Sequence, residues 1–479
     1  MSSEDDAKPA AHRAPDEPPR EGASAPNDAT KPVAPPLEGS PPKPDGDAPP
    51  AGDKQSGDGK AFVGTPKPDA KTKKKWGWGK RLGCGCVVAF PVFVLLLWGA
   101  IHTFPSVGPW LANAGRAIFG NAFIAKLEDW AYGIQDDINL ATRGNEAPTA
   151  AWTVPEAPSK PPPTPEEAAK FKFPQFTNKN VGPMIEKWAA PGDGVWVDMP
   201  DPRWPDEPAP MQKTMVHPDK KRGWAQVAVV AMDLRQIELH LVPGTVEPVT
   251  HLKDAKDKKR PGVVAPDDLA TVLAAFNGGF MTTHGNYGVK ADGVVWVEPH
   301  GKSCTIAQFP NDELLIRSWE ELEPRTNDML WFRQTPMCMV ESGELHKGLA
   351  VEENTYWGAT LDKDTIIRRS GMGISEDGKT LYVGIGEAMS AKSIATALQF
   401  AGAYHVAQLD VNFTYPKFVS IAPKSEGSAD LVLTPLVTTF KFEPDDYVKR
   451  PHPRDFFYVT RRSPDAIKKG DTKPVVSNP

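Results

Sequence analysis

From residue 87 to residue 104 the chain reads VVAFPVFVLLLWGAIHTF, eighteen positions without a formal charge. That length just meets the lower limit for a helix crossing about 30 Å of hydrocarbon. Pro91 and His102 sit near the ends of the run, where water or neighbouring groups can compensate a missing donor or a polar ring. A cleaved signal peptide lies close to an N-terminus, whereas more than 80 residues precede this run, so a membrane anchor is expected over 82–104. Lys71, Lys73, Lys74, Lys75, Lys80 and Arg81 stand just before the run, and the first twenty residues after it carry only Arg116. The positive-inside rule then expects a single-pass protein with its N-terminus cytoplasmic and the C-terminal part extracytoplasmic.

Composition separates the flanks of this run. Of 51 prolines, 15 fall in residues 1–70 and 16 in residues 141–220. The first 60 residues hold no aromatic residue, and after Met1 their only large apolar side chains are Val33 and Leu37. Such a segment cannot bury enough surface to offset its conformational entropy, so residues 1–75 are expected to be a disordered, Pro-rich cytoplasmic arm. Residues 144–222, with Pro161, Pro162 and Pro163, read as a Pro-rich linker, and residues 463–479 as a disordered tail. Between the anchor and the linker, Phe119, Phe123, Leu127, Trp130, Ile134 and Ile138 recur at spacings of three or four, which predicts an amphipathic juxtamembrane helix over 109–143. Its apolar face would rest on the bilayer or on the globular domain, or would serve dimerisation. A formal net charge of -6 leaves no nucleic-acid partner expected.

Residues 223–462 are the only stretch able to build a sizeable core. AQVAVVAMDL and IELHLV, joined through Arg235 and Gln236, read as a hairpin. Asp292-Gly293 and Asp377-Gly378 mark two further hairpins. Ser390 is placed to cap a helix that Gly402 ends, and the strand HVAQL after it suggests a βαβ crossover delivering Asp410 to a strand end. The fold class expected is α+β, a mixed β-sheet domain with few helices. Four cysteines make no disulfide scaffold, and whether Cys304 and Cys338 are joined stays open.

The zinc HExxH motif, the GxSxG elbow, the GxxxxGK[ST] phosphate loop and the GxGxxG turn are all missing from the sequence. No cofactor and no metal ligand is assigned, and a metal requirement is not legible in the sequence. Three segments remain. Asn277-Gly278-Gly279-Phe280 follows an apolar strand, and its glycines permit a sharp turn and a close backbone approach. Arg368-Arg369-Ser370-Gly371 places two guanidiniums on opposite faces of a strand, and one of them could hold a phosphate by two hydrogen bonds. Leu409-Asp410 brings a carboxylate out of an apolar strand. Taken singly, an ordinary turn, a surface arginine and a capping aspartate account for each.

Their order and spacing resemble the phosphodiester glycosidase family, which includes N-acetylglucosamine-1-phosphodiester alpha-N-acetylglucosaminidases and exopolysaccharide-related bacterial proteins. AFNGGF, GVKADGVVWV, RSGMGI and SIATALQFAGAYHVAQLD carry the resemblance, over about 225–420. The family's Gly-Gly-Gly-Ser after the aspartate is replaced by Val411, Asn412, Phe413 and Thr414, and Ile385 stands where an acid is common. The resemblance implies hydrolysis of a sugar-1-phosphodiester or envelope glycan through an oxocarbenium-like transition state. Arg369 would clamp phosphate, Asn277, Gly278, Gly279 and Phe280 would hold sugar or phosphate, and Asp410 would act as base or cation stabiliser. His284 would supply a proton, and the Thr414 hydroxyl would replace the family's serine. Loss of the glycines supports an alternative, a catalytically inactive glycan-binding or envelope-interaction module on the same fold. The oligomeric state is not legible.

Overall fold

The computed structural model describes residues 118–154, 164–350, 365–412, 414–440 and 442–470, with a few single positions, Trp357 among them. The cytoplasmic arm expected over 1–75, most of the expected span and residues 471–479 lie outside the described residues. Among the described residues no helix is long and apolar enough to cross a membrane. Residues 464–470, assigned to a disordered tail, form a helix.

Three antiparallel sheets with few helices make up the domain, within the α+β class. The largest has eight strands, with Met211–Val216, Val227–Asp233, Thr380–Met389, Ile367–Ile374 and His405–Val411 side by side at its centre. A five-stranded sheet contains Val289–Ala291, Val294–Val297, Trp331–Thr335 and Cys304–Gln308. The third, also of five strands, contains Phe418–Pro423, Val272–Asn277, Phe456–Arg461 and Ile237–Val242. Alternation along Val227–Asp233 explains the layering. Ala228, Val230 and Met232 face a core shared with both smaller sheets, whereas Val227, Val229 and Ala231 face the helix Ala391–Phe400.

That helix starts where expected, with Ser390 Oγ accepting the Ser393 amide at 3.0 Å. It crosses over Ile367–Ile374, so that Thr380–Met389 and His405–Val411, each antiparallel to that strand, run in the same direction on its two sides. The crossing is close. A Cβ on Gly371 would lie 2.8 Å from Leu398 Cδ1, and one on Gly384 2.9 Å from Leu398 Cδ2, so these glycines form the groove that receives a fully buried leucine. Burial of such a side chain contributes roughly 1.5–3 kcal/mol.

Both Asp-Gly hairpins form, pairing Val289–Ala291 with Val294–Val297 and Ile367–Ile374 with Thr380–Met389. The hairpin expected across Arg235 and Gln236 does not. Val227–Asp233 pairs with Met211–Val216 and Thr380–Met389, while Ile237–Val242 leaves for another sheet and pairs with Phe456–Arg461. All seven residues of Val227–Asp233 are buried, so it is a central strand whose two edges are taken by distant segments. The linker reading of 144–222 is corrected for the same reason. Met211–Val216 is a sheet strand, and Phe176 and Trp196 join the core beneath Ala391–Phe400. Pro161, Pro162 and Pro163 lie outside the described residues. Cys304 and Cys338 are joined by a disulfide.

Candidate active site

The three segments singled out by sequence converge at one end of the sheets. Asn277 closes its strand and donates through Nδ2 to Ser370 Oγ at 2.9 Å. Ser370 Oγ donates to the Asp410 carbonyl at 2.9 Å, and the Asp410 amide donates to the Gly278 carbonyl at 3.1 Å. Asn277 Oδ1 accepts the Lys417 amide at 3.2 Å. The asparagine, the Arg-Ser strand and the aspartate strand are thus tied by a chain of hydrogen bonds that excludes water, with Asn277 1% and Asp410 2% exposed.

Residues the sequence reading missed complete the cluster. Arg454 Nη2 lies 2.7 Å from Asp410 Oδ2 and donates to the Gly279 carbonyl at 3.3 Å, while its guanidinium stacks 3.9 Å over Tyr415. Asp455 accepts Arg333 Nε at 2.7 Å and the Gly279 amide at 3.1 Å through its carboxylate. Its carbonyl receives the Tyr415 hydroxyl and the Gly278 amide. Gly278 and Gly279 therefore make room for protein groups. A Cβ on Gly278 would lie 2.2 Å from Asp455 Oδ2, and one on Gly279 2.6 Å from Arg333 Cζ. The signal that could have found these partners is charge in apolar surroundings, Arg333 within WFRQT and Arg454-Asp455 before FFYVT.

Electrostatically the cluster is two guanidiniums against two carboxylates in a dry setting. Burial pushes the Asp410 carboxyl up to about 6, partly offset by the positive charge of Arg454. Burial also holds the Tyr415 hydroxyl well above its ordinary value, with Asp455 adding to the effect, so it stays protonated. Arg454 is disfavoured by burial, yet Asp410, Tyr415 and Asp455 hold its pKa above the ordinary value. The Arg454–Asp410 contact is an ion pair without hydrogen-bond geometry. Among the described residues Asp410 Oδ2 is held by that ion pair alone, and Arg454 Nε has no hydrogen-bond acceptor.

Arg369 does not join them. Its guanidinium is fully buried and donates to the carbonyls of Met389, Trp357 and Thr365 at 2.9–3.0 Å, on the opposite side of its strand from Ser370. The arginine expected to clamp phosphate holds backbone instead. Phe280 is buried with its ring edge-on to Tyr287. His284 lies on the exposed turn Thr282–His284, outside the buried network. The Thr414 hydroxyl and amide both donate to Asn412 Oδ1, at 3.1 and 2.9 Å, in a local turn, and Phe413 lies outside the described residues. A cavity of about 230 Å³ lined by His240, Trp331 and Tyr458 includes neither Asp410 nor Asn277. Among the described residues no group of three His, Cys, Asp or Glu is placed to hold a metal ion.

No family model and no curated protein matches the chain. Among solved structures, the catalytic domain of zebrafish N-acetylglucosamine-1-phosphodiester alpha-N-acetylglucosaminidase, auto-inhibited by its pro-peptide, aligns with 13% identity over 56% of this chain and 88% of that one, at a TM-score of 0.35. A hypothetical protein from Synechocystis aligns with 10% identity over 53% of this chain and 62% of that one, at a TM-score of 0.28.

Proposed function

We propose that this chain is a membrane-tethered hydrolase of sugar-1-phosphodiesters or related envelope glycans, with Asp410 and Arg454 as its working pair. The observation that carries the reading is the buried Asp410–Arg454 ion pair, 2.7 Å between Oδ2 and Nη2, set against Gly278 and Gly279 of the segments on which the sequence resemblance rests. A phosphate monoester leaves readily, so the chemistry asks less of a general acid than of charge placed against the anomeric cation and the departing anion. Arg454 is suited to take the phosphate by paired hydrogen bonds. Asp410, ionised above pH 6 and 2.7 Å from Arg454, is suited to stabilise the cation beside the departing phosphate. Arg454 thus replaces Arg369 in the role of anion clamp.

At 2% exposure Asp410 meets substrate only if binding opens the cluster, and that closure supports a second reading, a glycan-binding module that has lost turnover. The tether is part of the proposal. It is supported by the uncharged run at 87–104 with its basic flank, and the Cys304–Cys338 disulfide supports an oxidising compartment for the domain. The test is incubation of the full chain with a panel of sugar-1-phosphodiesters, UDP-linked N-acetylhexosamines included, following release of free sugar. Release supports the hydrolase. Saturable binding of the same compounds by folded protein, with no release, moves the assignment to the binding module.

A further inference from the structure

The helix Asn121–Arg143 is two-faced, and among the described residues its contacts with the domain come from one face. Phe119, Phe123, Leu127, Trp130, Ile134 and Ile138 are each 40–65% exposed. Phe119 precedes the helix at Gly120, whose φ of 84° is not helical; at 3.6 residues per turn the other five occupy an arc of about 80°, and the opposite side carries Tyr132, Asp136, Leu140 and Arg143. That opposite side is held to the domain. Asp136 receives both Nε and Nη2 of Arg222, which also reaches Asp219 at 3.0 Å, and the Arg143 guanidinium lies 5.2 Å over Trp224. The ion pairs fix which way the helix is turned, so its apolar stripe points away from the domain along about 30 Å of helix.

We infer that this stripe rests on the surface of a lipid bilayer, with the helix lying in the interface and the domain held on its far side. The stripe repeats every eleven residues, Phe119 with Trp130, Phe123 with Ile134 and Leu127 with Ile138, a period of about 3.7 that a plane accepts and a right-handed helical seam shares, so the choice of lipid over a second copy rests on position and composition. The uncharged run ends at residue 104, fifteen residues before Phe119, so a span there keeps the helix start within about 50 Å of the membrane. Aromatic side chains at three of the six positions suit the headgroup boundary. The inference rests on the proposed tether and not on the catalytic reading.

The test uses the full chain with Cys84 and Cys86 changed to Ser and a single new cysteine, Leu127→Cys or Ile134→Cys on the stripe and Gln135→Cys off it, each carrying a nitroxide and reconstituted in phosphatidylcholine vesicles. The expected result is that labels at 127 and 134 collide several-fold more with oxygen than with a water-soluble nickel chelate, and that the label at 135 shows the reverse. Two results would overturn the inference: chelate access at 127 and 134 equal to that at 135, or line broadening at 127 and 134 that vanishes on dilution with unlabelled chain, which would mark a second copy. Retention of the chain through an alkaline carbonate wash reports the tether separately, so failure of one is not mistaken for failure of the other.

Discussion

Replacing Asp410 by Asn isolates the cost of ionising a carboxyl inside the cluster. The group rises from an ordinary 3.8 to about 6 because burial outweighs the nearby Arg454 charge. Between those two values the native state holds a proton that the unfolded chain has already released. The stabilisation from this group is therefore complete below pH 3.8 and is lost as pH rises through 6. The displacement corresponds to about 3 kcal/mol. Asn cannot ionise, so this pH dependence disappears in Asp410→Asn, whatever constant amount the variant loses by weakening the hold on Arg454. Urea unfolding of the full chain at a series of pH values, wild type against variant, measures it. The unfolding free energy of the variant relative to wild type should climb by about 3 kcal/mol in full, most of it between pH 4 and 7. Parallel curves would refute the reasoning, since they would mean that Asp410 is as well solvated in the native state as in the unfolded chain.

Arg369→Lys should lower stability by about 1–3 kcal/mol for each buried carbonyl left without a donor, while leaving KM for a phosphodiester unchanged. A raised KM with an unchanged urea midpoint would restore the phosphate-clamp role to that residue. Gly384→Ala should cost roughly 1–3 kcal/mol by pressing a methyl against Leu398, read as a lowered urea midpoint with an unchanged slope. Changing Cys304 and Cys338 together to Ala removes a link across 34 positions and should cost about 2–4 kcal/mol, which comparison of the double variant with oxidised wild type would measure.

What the sequence made legible was local. The hairpins at Asp292-Gly293 and Asp377-Gly378 follow from residues that accept positive φ, 52° at Asp292, 72° at Gly293 and 69° at Gly378. The cap at Ser390 and the crossover into HVAQL rest on chemistry within a few residues. Pairing across Arg235 and Gln236 failed because a turn signal says nothing about whether a strand's edge is claimed from elsewhere. Here Met211–Val216 and Thr380–Met389 claim both edges of Val227–Asp233. Proline density misled in the same way around 197–222, where the intervening apolar residues pair into the sheet.

The meeting of Asn277, Ser370 and Asp410 was legible as a set of motifs, but not which face of the Arg369 strand they share. Alternation requires Arg369 and Ser370 to point apart and leaves open which of them faces Asn277. Arg333 and Asp455, 122 positions apart, have no sequence pattern linking them. Only the approach of the Val272–Asn277 and Phe456–Arg461 strands in one sheet brings Arg454 and Asp455 against the glycines after Asn277.

The central claim is that Asp410 and Arg454 do the work on a sugar phosphodiester. Its most direct test is kcat for release of N-acetylhexosamine from a UDP-linked substrate by the full chain, set beside Asp410→Asn and Arg454→Ala, with folding of each checked by its urea transition. The expected result is turnover by the wild type that both substitutions abolish and Arg369→Lys retains. Wild-type turnover that survives Asp410→Asn and Arg454→Ala would contradict it.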